Sequence, residues 1–355
     1  MTAMDREIVS ESERVHLEDI EVGRTLPFGK LSVSKEDIVA FARAFDPQPI
    51  HLDEEAAKRS IVGGLCASGF HSCALQMRLL ADGLLNRWTS LGSPGIDEVK
   101  WSKPVRPGDM LTGRYTCTEK RALGSRPEVG LAKITMEMLN GSGDVVQTWF
   151  SNQLVKVRDP KPVERAPEGA GSGTSARLES LWDGPPRPEP SRTSNYFEDR
   201  VIGETFDLGS QTLTREEVIA FAREFDPQPF HLDDAAAAKT YFGRLSASGW
   251  HTAALFIRQF VAFRQKIEGE MRDKGLKVAH YGPSPGFRNL RWLKPVYPGD
   301  TLTFRGRTAG KIDLKSRPDR GLIQTDSQAR NQHGEIVFAI RGQILAERRE
   351  TYRPS

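Results

Sequence analysis

Apolar side chains between residues 34 and 45 fall at Ile38, Phe41, Ala42 and Phe45, the spacing of one helical face, with acids in the first turn after Ser34. The pattern predicts a short amphipathic helix over Ser34 to Phe45. Asp46-Pro-Gln-Pro49 should end it, because residues before proline leave the helical region and two close prolines forbid an early restart. A second short helix is predicted over Asp53 to Arg59. Phe70 to Leu85 is apolar nearly all round, as expected of a longer helix wrapped by a sheet. Strand-like runs follow near Ile96–Trp101, Leu111–Thr118, Leu131–Leu139 and Val145–Val155, separated by Pro-Gly-Asp and Asn-Gly-Ser-Gly turns. A helix followed by an antiparallel meander is an α+β pattern.

The pattern occurs twice. Phe41-Ala-Arg-Ala-Phe-Asp-Pro-Gln-Pro-Ile-His-Leu-Asp53 returns as Phe221-Ala-Arg-Glu-Phe-Asp-Pro-Gln-Pro-Phe-His-Leu-Asp233, and Ala67-Ser-Gly-Phe-His71 as Ala247-Ser-Gly-Trp-His251. Trp101-Ser-Lys-Pro-Val-Arg-Pro-Gly-Asp109 recurs as Trp292-Leu-Lys-Pro-Val-Tyr-Pro-Gly-Asp300. Two whole domains are implied, over residues 15–158 and 194–350, because solenoid repeats are several times shorter. Residues 159–193 are dense in Pro, Gly, Ser, Ala and Glu and read as a linker. The second copy carries an insertion between Phe260 and Gly286 that includes the charged run Arg264-Gln-Lys-Ile-Glu-Gly-Glu-Met-Arg-Asp-Lys274.

With 355 residues, two cores can be buried. The net charge of +3 is spread among mixed signs, which argues against a nucleic-acid partner and suits a small anionic ligand. The first fourteen residues are polar and acidic, unlike an export signal, and the most apolar stretch, Leu65 to Leu85, is broken by His71, Gln76, Arg78 and Asp82. No membrane span is expected, and the predicted location is the cytoplasm. Cys66, Cys73 and Cys117 are too few for a disulfide framework and lack metal-ligand spacing with histidine. In the second copy Cys66 and Cys73 become Ser246 and Ala253, so a mechanism shared by both copies cannot need them.

Asp46 and His51 lie on neither one helical face nor one strand face, and can converge only through a turn that Pro47 and Pro49 would stiffen. A carboxylate and an imidazole held there could activate water, or Asp46 could cap the turn and His51 be a partly buried polar residue. Asp-Pro-Gln-Pro-x-His, then Ala-Ser-Gly-[Phe/Trp]-His, then Trp-x-Lys-Pro-Val-x-Pro-Gly-Asp closely resembles the MaoC-like dehydratase family, which includes the (R)-specific enoyl-CoA hydratases. The resemblance implies two hotdog domains, each a curved antiparallel sheet wrapped around a long central helix, paired edge to edge as a pseudo-dimer. It implies an Asp/His pair in each copy, Asp46 with His51 and Asp226 with His231, holding water beside the double bond of a CoA thioester. It further implies that a backbone N–H at Ser68-Gly69 and Ser248-Gly249, where the central helices begin, polarises the thioester carbonyl. Glycine there would also permit close approach by a ligand.

Gln48 and Gln228 stand where asparagine is usual, which shifts the amide by one methylene, and Phe45 and Phe225 stand where glycine often precedes the aspartate. His71 and His251 suit local packing. Arg126 and Arg317 suit either a CoA phosphate or a solvated hairpin. The reaction expected is reversible hydration of a trans-2-enoyl-CoA to an (R)-3-hydroxyacyl-CoA, with no metal or redox cofactor. Short branched or dicarboxylic CoA esters are alternative substrates, and a thioesterase, a carrier-protein dehydratase and a non-catalytic acyl-CoA-binding protein are alternative functions. A homo-oligomer of pseudo-dimers is compatible with the pattern. The insertion, with Tyr241, Phe242 and Trp250 replacing Ile61, Val62 and Phe70, predicts two unequal sites.

Overall fold

The computed structural model describes residues 13–160, 178–183 and 187–352. In the first half, β1 (Thr25–Ser32) leads into α1 (Lys35–Phe45), the single turn α2 (Pro49–Leu52), α3 (Glu54–Lys58) and the central helix α4 (Gly69–Gly83). Strands β2 (Ser90–Gly92), β3 (Gly95–Trp101), β4 (Met110–Leu123), β5 (Arg126–Leu139) and β6 (Val145–Lys156) follow. The second half repeats the order with β7 (Thr205–Thr212), α5 (Arg215–Phe225), α6 (Asp234–Ala238) and the long α7 (Gly249–Asp273). It closes with β8 (Gly286–Trp292), β9 (Thr301–Asp313), β10 (Arg320–Arg330) and β11 (Ile336–Glu347).

Local chemistry explains the helix starts. Ser34 accepts from the Asp37 N–H while Asp37 accepts from the Ser34 N–H, a reciprocal cap that Thr214 and Glu217 reproduce at α5. One expectation needs correction. The chain does restart at once after the first proline, since α2 opens on Pro49 and a 3₁₀ turn opens on Pro229. Proline disrupts a helix interior, but at the first helical position its absent N–H has no partner to lose and its φ is already helical. Strand β1 left no alternation to read, because only Phe28 within it is buried and Gly29, at φ +59°, breaks its register on β4.

All eleven strands join one antiparallel sheet with path order β1-β4-β5-β6-β3-β8-β11-β10-β9-β7, and β2 pairs with β6 beside it. The halves meet where β3 pairs antiparallel with β8, which satisfies both edges as the pseudo-dimer requires. A Cβ at Gly95 would lie 2.1 Å from the Leu290 carbonyl oxygen, and one at Gly286 1.9 Å from that of Val99, so this seam closes only on glycine. Arg291 reaches Asp97 and Arg288 reaches Glu98 across it, each at 2.7 Å.

Beneath the seam, four phenylalanines tie α1 to α5. Phe41 meets Phe225 edge-on at 5.6 Å and Phe45 meets Phe221 edge-on at 5.8 Å. Phe45 and Phe225, unusual for the resembled family, are therefore part of the contact between halves.

Residues 161–177 and 184–186 of the predicted linker lie outside the described residues, as do residues 1–12, on which part of the reading against an export signal rests. The described linker residues pack onto the second half: Leu181 is buried with its N–H on Gln328 Oε1, and Trp182 lies under the guanidinium groups of Arg305 and Arg330. Among the described residues, no helix is long and apolar enough to cross a membrane.

Candidate active site

The end of α1 and the turn of α2 bring Asp46 and His51 together, both buried, with His51 Nε2 3.7 Å from Asp46 Oδ2. The His51 Nδ1 lies 2.8 Å from the Cys66 carbonyl oxygen. A carbonyl can only accept, so Nδ1 carries a proton and donates it there, which fixes the ring with Nε2 facing Asp46. Asp46 accepts twice: Gln48 Nε2 donates to Oδ1 at 2.8 Å and Ser68 Oγ donates to Oδ2 at 2.5 Å. Glutamine thus reaches the carboxylate despite its extra methylene.

Ser68 also accepts from the Phe70 N–H as the N-cap of α4. This hydroxyl, expected near the substrate, in fact binds the catalytic candidate, and the long-range link to Asp46 has no signal in local spacing. Gly69 opens α4, where an N–H has no intrahelical acceptor. A Cβ at Gly69 would lie 2.5 Å from the Trp101 ring, and one at Gly249 2.4 Å from Trp292, so close packing against an indole also requires glycine here.

The second half repeats this geometry. His231 Nε2 lies 3.5 Å from Asp226 Oδ2, Nδ1 donates to the Ser246 carbonyl at 2.8 Å, Gln228 donates to Oδ1 at 2.9 Å and Ser248 to Oδ2 at 2.6 Å.

His71 and His251 stack on Phe41 and Phe221 at 4.5 Å and 4.6 Å, away from both carboxylates, and burial pushes each imidazole down to about 3. They are neutral packing groups at the contact between halves. Burial likewise raises the Cys66 thiol. Among the described residues, no cluster of three or more His, Cys, Asp or Glu could hold a metal ion.

The surroundings of the two pairs differ. A cavity of about 740 Å³ reaches Asp46, His51, Gly69 and Phe70, and then runs into the second half between α7 and β11. Its walls there include Phe256, Phe260, Phe287, Ile340 and Gly342. None of Asp226, Gln228, His231 or Ser248 borders it. Arg126 and Arg317, on their hairpins, are also absent from its lining.

By the repeat, the corresponding space beside the second pair is walled by the first half, and larger side chains stand there. Ile134, Met136, Trp149 and Ser151 replace Thr325, Ser327, Ile340 and Gly342, and all four are buried. Trp149 stacks on Trp250 at 4.7 Å, while Phe230 stacks on Phe242 at 5.0 Å beside His231. Tyr241, by contrast, is 85% exposed and takes no part.

The family described as MaoC like domain matches residues 19–137 and again 198–328. The chain belongs to this family. A curated relative, the (R)-specific enoyl-CoA hydratase of Rhodospirillum rubrum, is 33% identical over 109 residues, 29% of this chain and 69% of that protein. The chain covers smaller parts of other curated relatives, 29% of one and 20% of another.

Among solved structures, a putative MaoC domain protein dehydratase from Chloroflexus aurantiacus superposes with TM-score 0.74 at 16% identity, over 96% of this chain and all of that one. A conserved hypothetical protein from Mycobacterium tuberculosis, described as a double hotdog fold, does so with TM-score 0.66 at 16% identity, over 95% of this chain and all of that one. These likenesses establish the double hotdog architecture that the MaoC-like motifs predicted.

Proposed function

We propose that this MaoC-like chain reversibly adds water to a trans-2-enoyl-CoA, giving an (R)-3-hydroxyacyl-CoA, and that Asp46 and His51 form its working site. The observation that carries the reading is the cavity of about 740 Å³, a volume in the range of small-molecule sites, which reaches this buried pair and has largely apolar walls. The relative named (R)-specific enoyl-CoA hydratase supports the reaction class.

A gap of 3.7 Å between Nε2 and Oδ2 is too long for a direct hydrogen bond and suits one water between them. That water gives one hydrogen to Nε2 and the other to Oδ2, and its oxygen faces the substrate. As the oxygen bonds to C3, the double-bond electrons move toward the thioester oxygen, where the Gly69 N–H stabilises the developing charge. His51 Nε2 takes the water's proton and returns it to C2 on the same face, so one water is consumed and the protein is unchanged. Ser68 and Gln48 hold the Asp46 carboxylate in place throughout. The chemistry requires no metal or redox cofactor.

Purified protein should remove the conjugated-thioester absorbance from a panel of trans-2-enoyl-CoA esters without releasing free thiol, and the product should be the (R)-alcohol. Release of thiol would identify a thioesterase, and tight binding without absorbance loss an acyl-CoA-binding protein; either result overturns the proposal.

A further inference from the structure

Three backbone carbonyls just before Cys66 converge on one side chain. Arg106, in the connection between β3 and β4, donates Nη2 to the Val62 carbonyl and Nη1 to those of Gly64 and Leu65, the last at 3.1 Å. The guanidinium is half-buried, and its charge strengthens each of these bonds relative to a neutral donor. The segment it holds has little stiffness of its own, since Gly63 and Gly64 lie at φ +67° and +154°, conformations that glycine enters and leaves without steric cost.

The residue that follows this segment orients the dyad. The Cys66 carbonyl accepts the His51 Nδ1 proton at 2.8 Å, and Val62 and Cys66 both border the cavity. Arg106 is not in that lining, so it reaches the site through the segment it grips.

The repeat builds the same support differently. Gly64 and Arg106 become Arg244 and Tyr297 in the second half. There the Tyr297 hydroxyl donates to the Phe242 carbonyl at 3.0 Å, and the Arg244 guanidinium lies over the Tyr297 ring, 3.9 Å from its centre. The arginine has changed segments, and glycine at position 64 leaves room for it, since a Cβ there would lie 3.2 Å from Arg106 Nη1. The main-chain strap is common to both halves: the Ala67 N–H donates to the Val105 carbonyl at 2.9 Å, and the Ala247 N–H to that of Val296 at 2.8 Å. The side-chain clamp is therefore what distinguishes the two supports.

We infer that Arg106 is a positioning residue for His51: by tying down residues 62–65 it fixes the Cys66 carbonyl, and through it the imidazole that faces the water. This inference rests on Asp46 and His51 forming the working site. Water activation needs Nε2 aligned with both the water and Asp46, and a misplacement of about 1 Å at a reacting group can cost roughly 10²-fold.

The clamp and the reaction are measured separately. In protein carrying isotope-labelled histidine, His51 and His231 should each give a hydrogen-bonded Nδ1–H resonance, assigned by its loss in His51→Ala and in His231→Ala. Arg106→Ala should speed hydrogen exchange at His51 by about tenfold and leave His231 unchanged, and Tyr297→Phe should do the reverse. Hydration kcat should fall on the order of tenfold in Arg106→Ala, with the Kd of a saturated acyl-CoA moved by less than about threefold, and stay within about twofold in Tyr297→Phe. Arg106→Lys, which keeps the charge without the planar fork, should fall in between on both readouts, and it carries the test if Arg106→Ala does not fold.

His51 exchange and kcat both within about twofold of the unsubstituted chain in a folded Arg106 variant would overturn the inference. So would equal changes at His51 and His231, which mark a general loss of stability, or a loss confined to Kd, which marks the arginine as a support of the cavity wall alone. Faster exchange at His51 alone, in a protein that hydrates no enoyl-CoA before substitution, would uphold the clamp and remove the proposed reaction instead.

Discussion

The two halves present the same four polar side chains in the same arrangement and differ in what stands behind them. Asp46 and Asp226 are equally buried, each accepts from a glutamine and a helix-capping serine, and each faces a histidine whose other nitrogen is held by a carbonyl. The difference lies in the opposite half. Thr325, Ser327 and Gly342 border the cavity at the first pair, and by the repeat their counterparts toward the second are Ile134, Met136 and Ser151, with Trp149 in the place of Ile340, all buried. On the proposed function the duplicated dyad serves one working site, since the cavity at the first pair is completed by walls of the second half. At the second pair Ser248 caps α7 while donating to Asp226, a structural use independent of turnover.

Substitution of the two aspartates separates the pairs most strongly. Asp46→Asn should lower kcat/KM for enoyl-CoA hydration by about 10²–10⁴, the range for disabled acid–base catalysis, because the water that His51 deprotonates loses its second acceptor, with circular dichroism unchanged. Asp226→Asn should leave the rate within about twofold. Equal losses in the two variants would mean two equivalent sites.

The plug itself comes next. Trp149 is 1% exposed and stacked on Trp250, so Trp149→Ala should cost about 3–5 kcal/mol in urea unfolding, the range for emptying an aromatic core position. Ile340→Ala, at the counterpart on the open cavity's wall, should cost less, because fewer atoms pack against its free side. Similar losses at both positions would argue against a filled second pocket.

Acid should destabilise both halves alike. His71 and His251 titrate near 3 when folded and near 6.5 when unfolded, so the unfolded chain binds more protons between those values. Their contribution is intact above about pH 6.5 and is lost as pH falls below it, by roughly 2 kcal/mol per histidine between pH 7 and pH 5. Urea midpoints across this range should fall less steeply in His71→Phe and His251→Phe. An unchanged slope in both variants would show that the imidazoles do not stay neutral.

The smallest effects belong to the capping serines. Ser68→Ala and Ser248→Ala should each cost about 1 kcal/mol of stability, since each removes a helix cap. Only Ser68→Ala should also reduce turnover, because only there does the lost hydroxyl orient a working carboxylate.

Much of this was legible in the sequence. Helical spacing from Ile38 to Phe45, the proline turn joining Asp46 to His51, and the near-verbatim return of both motifs placed α1, the central helices and both dyads. A difference between the two pairs was also expected, and the structure shows which elements border the cavity at the first. The insertion lengthens α7 within the second half, yet α7 walls the first half's cavity through Phe260 and Arg264. Trp250 and Phe242 do crowd the second pair, whereas Tyr241 points to solvent. What one sequence could not show was partnership across the repeat. Ser68 with Asp46, Trp101 over Gly69, and Ile340 or Trp149 at the end of a pocket begun elsewhere are contacts between distant segments with no shared period. Strand β1 escaped because an edge strand with one deeply buried side chain has no alternation to detect.

Ligand stoichiometry tests the central claim most directly. Calorimetric titration of the full chain with a tight-binding saturated acyl-CoA should give one bound molecule per chain, and the same stoichiometry for Asp226→Asn. Two molecules per chain at equal affinity would show that the second pair has an open pocket of its own, contradicting the account.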